Sequence, residues 1–288
     1  MKTILIPTDT KSFNCALRTA ASFLRGNAGK IILMHNVETL LTNWTRLSEK
    51  EKLNYPDVTR YTAKVHYKLL EITSAEFLNG LPIETLITYG VTSDEILDAA
   101  AEVHADLIIM PSHRSKGSNG EFIGSTLQKV VRQSPCPVLS VKEDIDTTNL
   151  KRMVVPVSLN YDISEPFDEV IKISKALGSV IQLLFVNSPQ HFRNTGEIQK
   201  LISEFKAKYP NVAIETAVYD HVQIEKGILE FVETSRADCI AMITFEHKRA
   251  PSYQLSTTDY ILHHATVPVL TVYDGVKNLR RKRSVALA

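Results

Sequence analysis

Tryptophan occurs once in these 288 residues, cysteine three times and glycine only eleven times. Each scarcity excludes something. Cys15, Cys136 and Cys239 are odd in number, widely spaced and set in apolar sequence. They provide neither a disulfide framework nor a CxxC metal pair, and read as buried thiols in a reducing compartment. No apolar run approaches membrane-spanning length, and the opening MKTILIPTDT reads as a strand rather than a signal peptide. A cytoplasmic protein without membrane contact is therefore expected. A formal charge of +1 supplies no global field for nucleic acid, which is an unlikely partner on this ground. The one concentrated charge run, Lys277 to Arg283, reads as a solvated tail, with contact to nucleic acid or an anionic membrane as the minority reading. What is present is 44% hydrophobic and 23% charged, the balance of a globular chain long enough for two cores.

The hydrophobic period alternates between strand and helix. Ile4 to Pro7 is a short buried strand, Ser12 to Leu24 a helix and Lys30 to Val37 a second strand. A polar stretch, residues 38–59, holds Trp44 and Pro56 and has room for a short helix; it leaves a strand's carboxyl end and reads equally as a lid or as a surface arm. Tyr61 to Leu78 has helical period, with Tyr67, Leu70 and Phe77 expected in the core, as are Leu201 and Phe205 further on. Ile83 to Tyr89 is a strand. Thr92 to Val103 is a helix capped by Thr92 or Ser93, and strands follow at Ala105 to Met110 and Pro137 to Val141. Such alternation means crossover units and a mostly parallel sheet, an α/β fold.

The pattern then repeats. MVVPVS (Met153 to Ser158) answers ILIPTD, ADCIAM (Ala237 to Met242) answers ADLIIM (Ala105 to Met110), and PVLTV (Pro268 to Val272) answers PVLSV. The second copy is shorter by about 18 residues, most of them the Trp44 stretch. Two tandem units are expected, residues 1–143 and 151–274, followed by a basic tail at 275–288.

Between Met110 and Pro135 a loop rich in Ser, Gly and cations leads to Gly124-Ser125 and a helix. Orphan N–H groups at such a helix start, beyond the carboxyl end of a strand, favour anions. The ordered set of IxxPTD, His35 at the end of the second strand, ADLIIM, GS before the last helix and CPVLSV resembles the universal stress protein family, in a tandem arrangement. That resemblance implies open, Rossmann-like parallel five-stranded sheets with helices on both faces, akin to adenine nucleotide alpha hydrolases. It also implies pairing of the halves through their last strands about a pseudo-two-fold, with a homodimer as a further form.

Some family members bind ATP through an Asp after the first strand and a loop G-x-x-G, nine residues, then G-[ST]. Carried over by position, Asp9 matches that Asp, while Pro111 and Arg114 stand at the first two glycines and Gly124-Ser125 follow at the right spacing. Pro111 has no N–H, and Arg114 brings bulk where backbone should approach phosphate. Arg114 and Lys116 can instead hold phosphate by charge, and Gly117 and Gly120 can form a shifted nest. The nucleotide set implied is Pro7, Thr8, Asp9, Val37, Met110, His113, Arg114, Gly124, Ser125 and Thr126, with ATP or another adenine nucleotide, and magnesium with it, as the ligand.

Plainer readings stand beside these: Asp9 as a turn residue, Ser125 as a helix cap, His113 as a loop histidine, and His35 either bordering the site or covering the core edge. In the second copy Ser158, Ile243, Glu246 and Leu255-Ser256 replace the signature, so no nucleotide is expected there. Adjacent His263 and His264 point to different helix faces and cannot chelate together. No nucleophile–base pair and no Walker lysine is visible, so at most weak ATP hydrolysis is expected. The two functional readings are a nucleotide-gated regulator of stress response and, as alternative, a dimeric scaffold that binds no nucleotide.

Overall fold

In the computed structural model, residues 2–10, 13–25, 28–39, 44–112, 124–142, 150–158, 162–244 and 256–274 are described. The first half runs β1 (Thr3–Pro7), α1 (Asn14–Leu24), β2 (Lys30–Val37), α2 (Glu49–Lys52), α3 (Pro56–Thr73), β3 (Ile83–Tyr89), α4 (Thr92–Glu102), β4 (Leu107–Pro111), α5 (Ser125–Gln133) and β5 (Val138–Val141). The second runs β6 (Arg152–Pro156), α6 (Ser164–Leu177), β7 (Val180–Asn187), α7 (Thr195–Ala207), β8 (Ile214–Asp220), α8 (Ile224–Ser235), β9 (Cys239–Thr244), α9 (Thr257–His264) and β10 (Val269–Tyr273).

The strands form one ten-stranded sheet in the order β3-β2-β1-β4-β5-β10-β9-β6-β7-β8. Each half is parallel throughout, and the two meet where β5 pairs antiparallel with β10. The register of that junction is symmetric: Leu139 faces Leu270, while Val138 faces Thr271 and Ser140 faces Val269. Repeat-equivalent residues thus exchange places across a pseudo-two-fold. Closing the seam by main-chain ladder removes two sheet edges that would otherwise be exposed.

Helices cover both faces, so the central strands are buried on both sides and read as continuous apolar runs, whereas the edge strands β3 and β8 are partly exposed. Ile4 and Ile6 enter a core with α1, α3 and α6, whereas Leu5 enters the opposite core with α4, α5, α8 and α9. The recurring Ala-Asp before β4 and β9 has a physical cause. Asp106 accepts the backbone N–H groups of Lys2 and Thr3 (2.6 and 3.0 Å), and Asp238 those of Lys151 and Arg152 (3.0 and 2.8 Å). Each carboxylate thereby fixes the start of the neighbouring central strand. The preceding residues, His104 and Arg236, both turn left-handed (φ 49° and 53°) to end α4 and α8.

Three local expectations need correction. The long helix begins at Pro56, with Pro at its first turn where no N–H is required, and it ends at Thr73; residues 76–78 form a separate 3-10 turn. Its buried face is Val65, Leu69 and Ile72, so Tyr67 (74% exposed) and Leu70 (49%) face outward and Phe77 is only partly buried. Leu201 is likewise half-buried, while Phe205 is buried as expected. The phase differs from the one expected because α3 carries large apolar residues on both sides. At α4, Val91 is the N-cap residue and makes no side-chain cap; Thr92 uses its hydroxyl to accept a bond from Asn36 (2.9 Å), and Ser93 is buried. Within the 38–59 stretch, α2 is held by a Ser48–Glu51 capping box, and buried Trp44 packs against Tyr89 and Tyr55 at ring distances of 5.6 and 6.2 Å.

Candidate functional site

In the first half, β1 has β2 and β3 on one side and β4 and β5 on the other. Chain order reverses between β1 and β4, and their carboxyl ends open the crevice in which ligands of open parallel sheets settle. Pro7 ends β1 and Thr8 follows it, Val37 ends β2, Met110 lies near the end of β4, and Gly124, Ser125 and Thr126 start α5. His113, Arg114, Lys116, Gly117 and Gly120 lie outside the described residues.

The turn after β1 is tightly specified. The Thr8 N–H donates to Met34 O (2.8 Å), and the Thr8 hydroxyl accepts the N–H of Thr10 (2.9 Å). His35 is buried with Nδ1 2.8 Å from the Thr8 carbonyl oxygen and Nε2 3.3 Å from the Tyr61 hydroxyl. A carbonyl can only accept, so Nδ1 carries a proton, and in the neutral ring Nε2 accepts from Tyr61. His35 is therefore a buckle between the β1 turn and α3. Asp9 is exposed at the tip, and Thr10 follows with φ 66°. A β-branched residue in the left-handed region is strained by about 1–2 kcal/mol, the kind of outlier that clusters at ligand sites.

At the other wall, Pro111 pairs with Val141 and the Ser112 N–H donates to Val141 O (2.7 Å). The ladder has consumed the donors at the start of the loop, so residues 111 and 112 offer no nest to a phosphate. The start of α5 differs. Gly124 is its N-cap with extended backbone and no side-chain cap, and the first turn contains no acidic residue. Ser125 is the first helical residue and exposed, so the capping role expected for it belongs to Gly124. One turn on, Lys129 pairs with Asp94 of α4 at 2.7 Å.

The second half resolves the same position oppositely. Ser256 caps α9, accepting the N–H of Asp259 (3.1 Å), while the Asp259 carboxylate accepts the N–H and hydroxyl of Ser256 (3.3 and 2.9 Å). Arg132 of α5 crosses the seam to bind that carboxylate at 2.5 Å. Helix α9 thus carries its own anion. By count back from Pro268, Ser256 matches Ser125; in space it takes the N-cap place of Gly124, because α9 starts one residue later. Glu246 and Leu255 lie outside the described residues.

Beside this helix start is a cavity of about 480 Å³ at the carboxyl ends of β6, β7 and β9. Ser158, Ile243 and Ser256 line it, as expected of the repeated site, and so do Arg132, Arg193, Glu197 and Asp259, which sequence reading missed. The Ser256-x-x-Asp259 and Asn194-x-x-Glu197 spacings were readable signals of capping boxes, and both boxes are formed. Arg132 had no local signal, because its partner lies across the seam.

All three cysteines are buried, and burial pushes the Cys239 thiol up to about 12, far from a working nucleophile. Among the described residues, no group of three His, Cys, Asp or Glu is placed to hold a metal, and no helix is long and apolar enough to cross a membrane.

A profile of the universal stress protein family matches residues 1–142. A universal stress protein of Synechocystis is 32% identical over 143 residues, covering 49% of this chain and 85% of that protein. One of Methanocaldococcus jannaschii is 27% identical over 153 residues, covering 49% of this chain and 94% of that protein. A solved universal stress protein of Archaeoglobus fulgidus superimposes with a TM-score of 0.70 over 94% of this chain and 98% of its own, at 18% identity. That likeness carries the fold into the second half, where the sequence profile does not reach. With the β1 turn and the Gly-Ser helix start in their places, the chain belongs to the universal stress protein family.

Proposed function

We propose that the first half binds an adenine nucleotide at the carboxyl ends of β1 and β4, and that the protein acts as a nucleotide-responsive regulator in the stress response. The observation that carries this reading is the contrast between the two helix starts. Among the described residues, helix α5 has no side-chain cap at Gly124 and no acidic residue in its first turn, whereas α9 carries Asp259 in its own. Asp9 reads the nucleoside from the strained turn after Thr8, and Ser125 and Thr126 meet the phosphates. His113 and Arg114 supply further donors and charge, in place of the glycines that Pro111 and Arg114 displaced. Pro7, Val37 and Met110 form the apolar floor. Magnesium enters with the nucleotide, held mainly by its phosphates.

The test is native mass spectrometry of the purified full chain, with identification of any small molecule released, followed by thermal shift with ATP and magnesium. One adenine nucleotide per chain, lost in Asp9→Ala without loss of folding, supports the reading. No ligand and no shift would favour the scaffold reading instead, which draws on the outward-facing Tyr67 and Leu70 of α3.

A further inference from the structure

We propose that the second half holds a separate binding site for a neutral, largely apolar small molecule, in the cavity closed by α5 across the seam. Its volume, about 480 Å³, is that of a small-molecule site, and such sites are mostly apolar with a few fixed polar groups. Leu184, Val186, Ile224, Ile228 and Met242 make the apolar wall.

The repeat explains how this cavity arose from the same architecture. In the first half, the corresponding strand ends carry the polar buckle Thr8–His35 and the Asn36 amide, which donates to Gly90 O and Thr92 Oγ1 (both 2.9 Å). In the second, Val157 stands for Thr8, Phe185 for His35 and Val186 for Asn36, and all three line the cavity. The β-ladder is unchanged: the Val157 N–H donates to Leu184 O (2.9 Å) as the Thr8 N–H does to Met34 O. At these three positions hydrogen-bonding groups have been exchanged for apolar ones on a repeated frame, which leaves space with an apolar wall beside polar side chains such as Ser158, Thr258 and Glu197.

Charge selects against anions. At the start of α9 the Asp259 carboxylate, buried and tied to Arg132, accepts the N–H and hydroxyl of Ser256 and so puts a negative charge where a phosphate would approach. The charged side chains of the wall, Arg132, Arg193, Glu197 and Asp259, sum to zero. An anion brought here would meet the buried Asp259 carboxylate, whereas a neutral ligand meets no such repulsion.

Two fluorescent probes that differ by one sulfonate make the test: neutral N-phenyl-1-naphthylamine and anionic 1-anilinonaphthalene-8-sulfonate, each titrated into the full chain. The neutral probe is expected to saturate at one per chain without displacement by ATP and magnesium, and the anionic probe to bind at least tenfold more weakly. Ile224→Trp, at a partly exposed position of the wall, and Ser158→Trp, at an exposed one, each fill space and should weaken the neutral probe at least tenfold while retaining cooperative unfolding. Asp259→Asn should narrow the gap between the probes. No binding of the neutral probe, equal or tighter binding of the anionic one, or neutral-probe affinity unchanged in both tryptophan variants would overturn the proposal.

Discussion

Arg132→Met would leave the Asp259 carboxylate buried without its cation, and the size of the effect follows from the geometry. Asp259 is 3% exposed at its side chain and Arg132 59%. Breaking a fully buried pair costs about 3–5 kcal/mol, because the remaining charge cannot be hydrated. Here the arginine side opens to solvent, which screens the pair, and the Ser256 N–H and hydroxyl still donate to the carboxylate. A loss of about 1–3 kcal/mol follows, and for a chain of this size that lowers Tm by about 2–5 °C. Differential scanning calorimetry at neutral pH measures it. Asp259→Asn keeps an acceptor for Ser256 and removes the charge, so Arg132→Met/Asp259→Asn should be more stable than Arg132→Met alone. An Arg132→Met Tm within 1 °C of the wild type, or a double variant less stable than that single one, would refute the claim that this contact neutralises a buried charge at the seam.

Ser125→Asp places a carboxylate in the open first turn of α5, as Asp259 does in α9. It should raise the stability of the unliganded protein by about 0.3–1 kcal/mol through the helix dipole yet weaken ATP binding at least tenfold, a pairing of opposite effects that calorimetry detects. Thr10→Gly should stabilise by about 1 kcal/mol by relieving the left-handed strain, read from chemical denaturation. The Asp162 carboxyl is held down to about 2, first by the Ser164 hydroxyl, then by the Ser164 N–H and Lys208. A folded-state value below the unfolded 3.8 contributes stability above 3.8 that is lost as pH falls towards 2, so Asp162→Asn should flatten the acid limb of the stability–pH curve. The native protein should leave all three buried thiols unmodified by a thiol reagent over minutes, and all three should react after denaturation.

Most of the fold was legible because each half carries its own strand and helix periods and the two confirm each other. ADLIIM and ADCIAM announced equivalent strands before the Asp clamps gave the reason. The phase of α3 was not legible. Leu70 is as hydrophobic as Leu69 and the Tyr67 ring offers as much apolar surface as Val65, so only the sheet beneath decides which pair is covered. Caps were misplaced by one residue at α4 and α5, where Val91 and Gly124 end the extended segment without side-chain help. Of the candidate site, the placement of Pro7, Val37 and Met110 at strand ends and of Gly124-Ser125 at a helix start could be read from motif spacing. His35 could not, because its partners Thr8 and Tyr61 come from distant segments, and neither could Arg132, whose partner belongs to the other half.

Isothermal titration of ATP with magnesium into the full chain tests the central claim most directly. The account predicts one site per chain, its heat abolished by Asp9→Ala and retained in Asp259→Asn. Absence of heat, two sites per chain, or an Asp9→Ala isotherm identical to that of the wild type would contradict it.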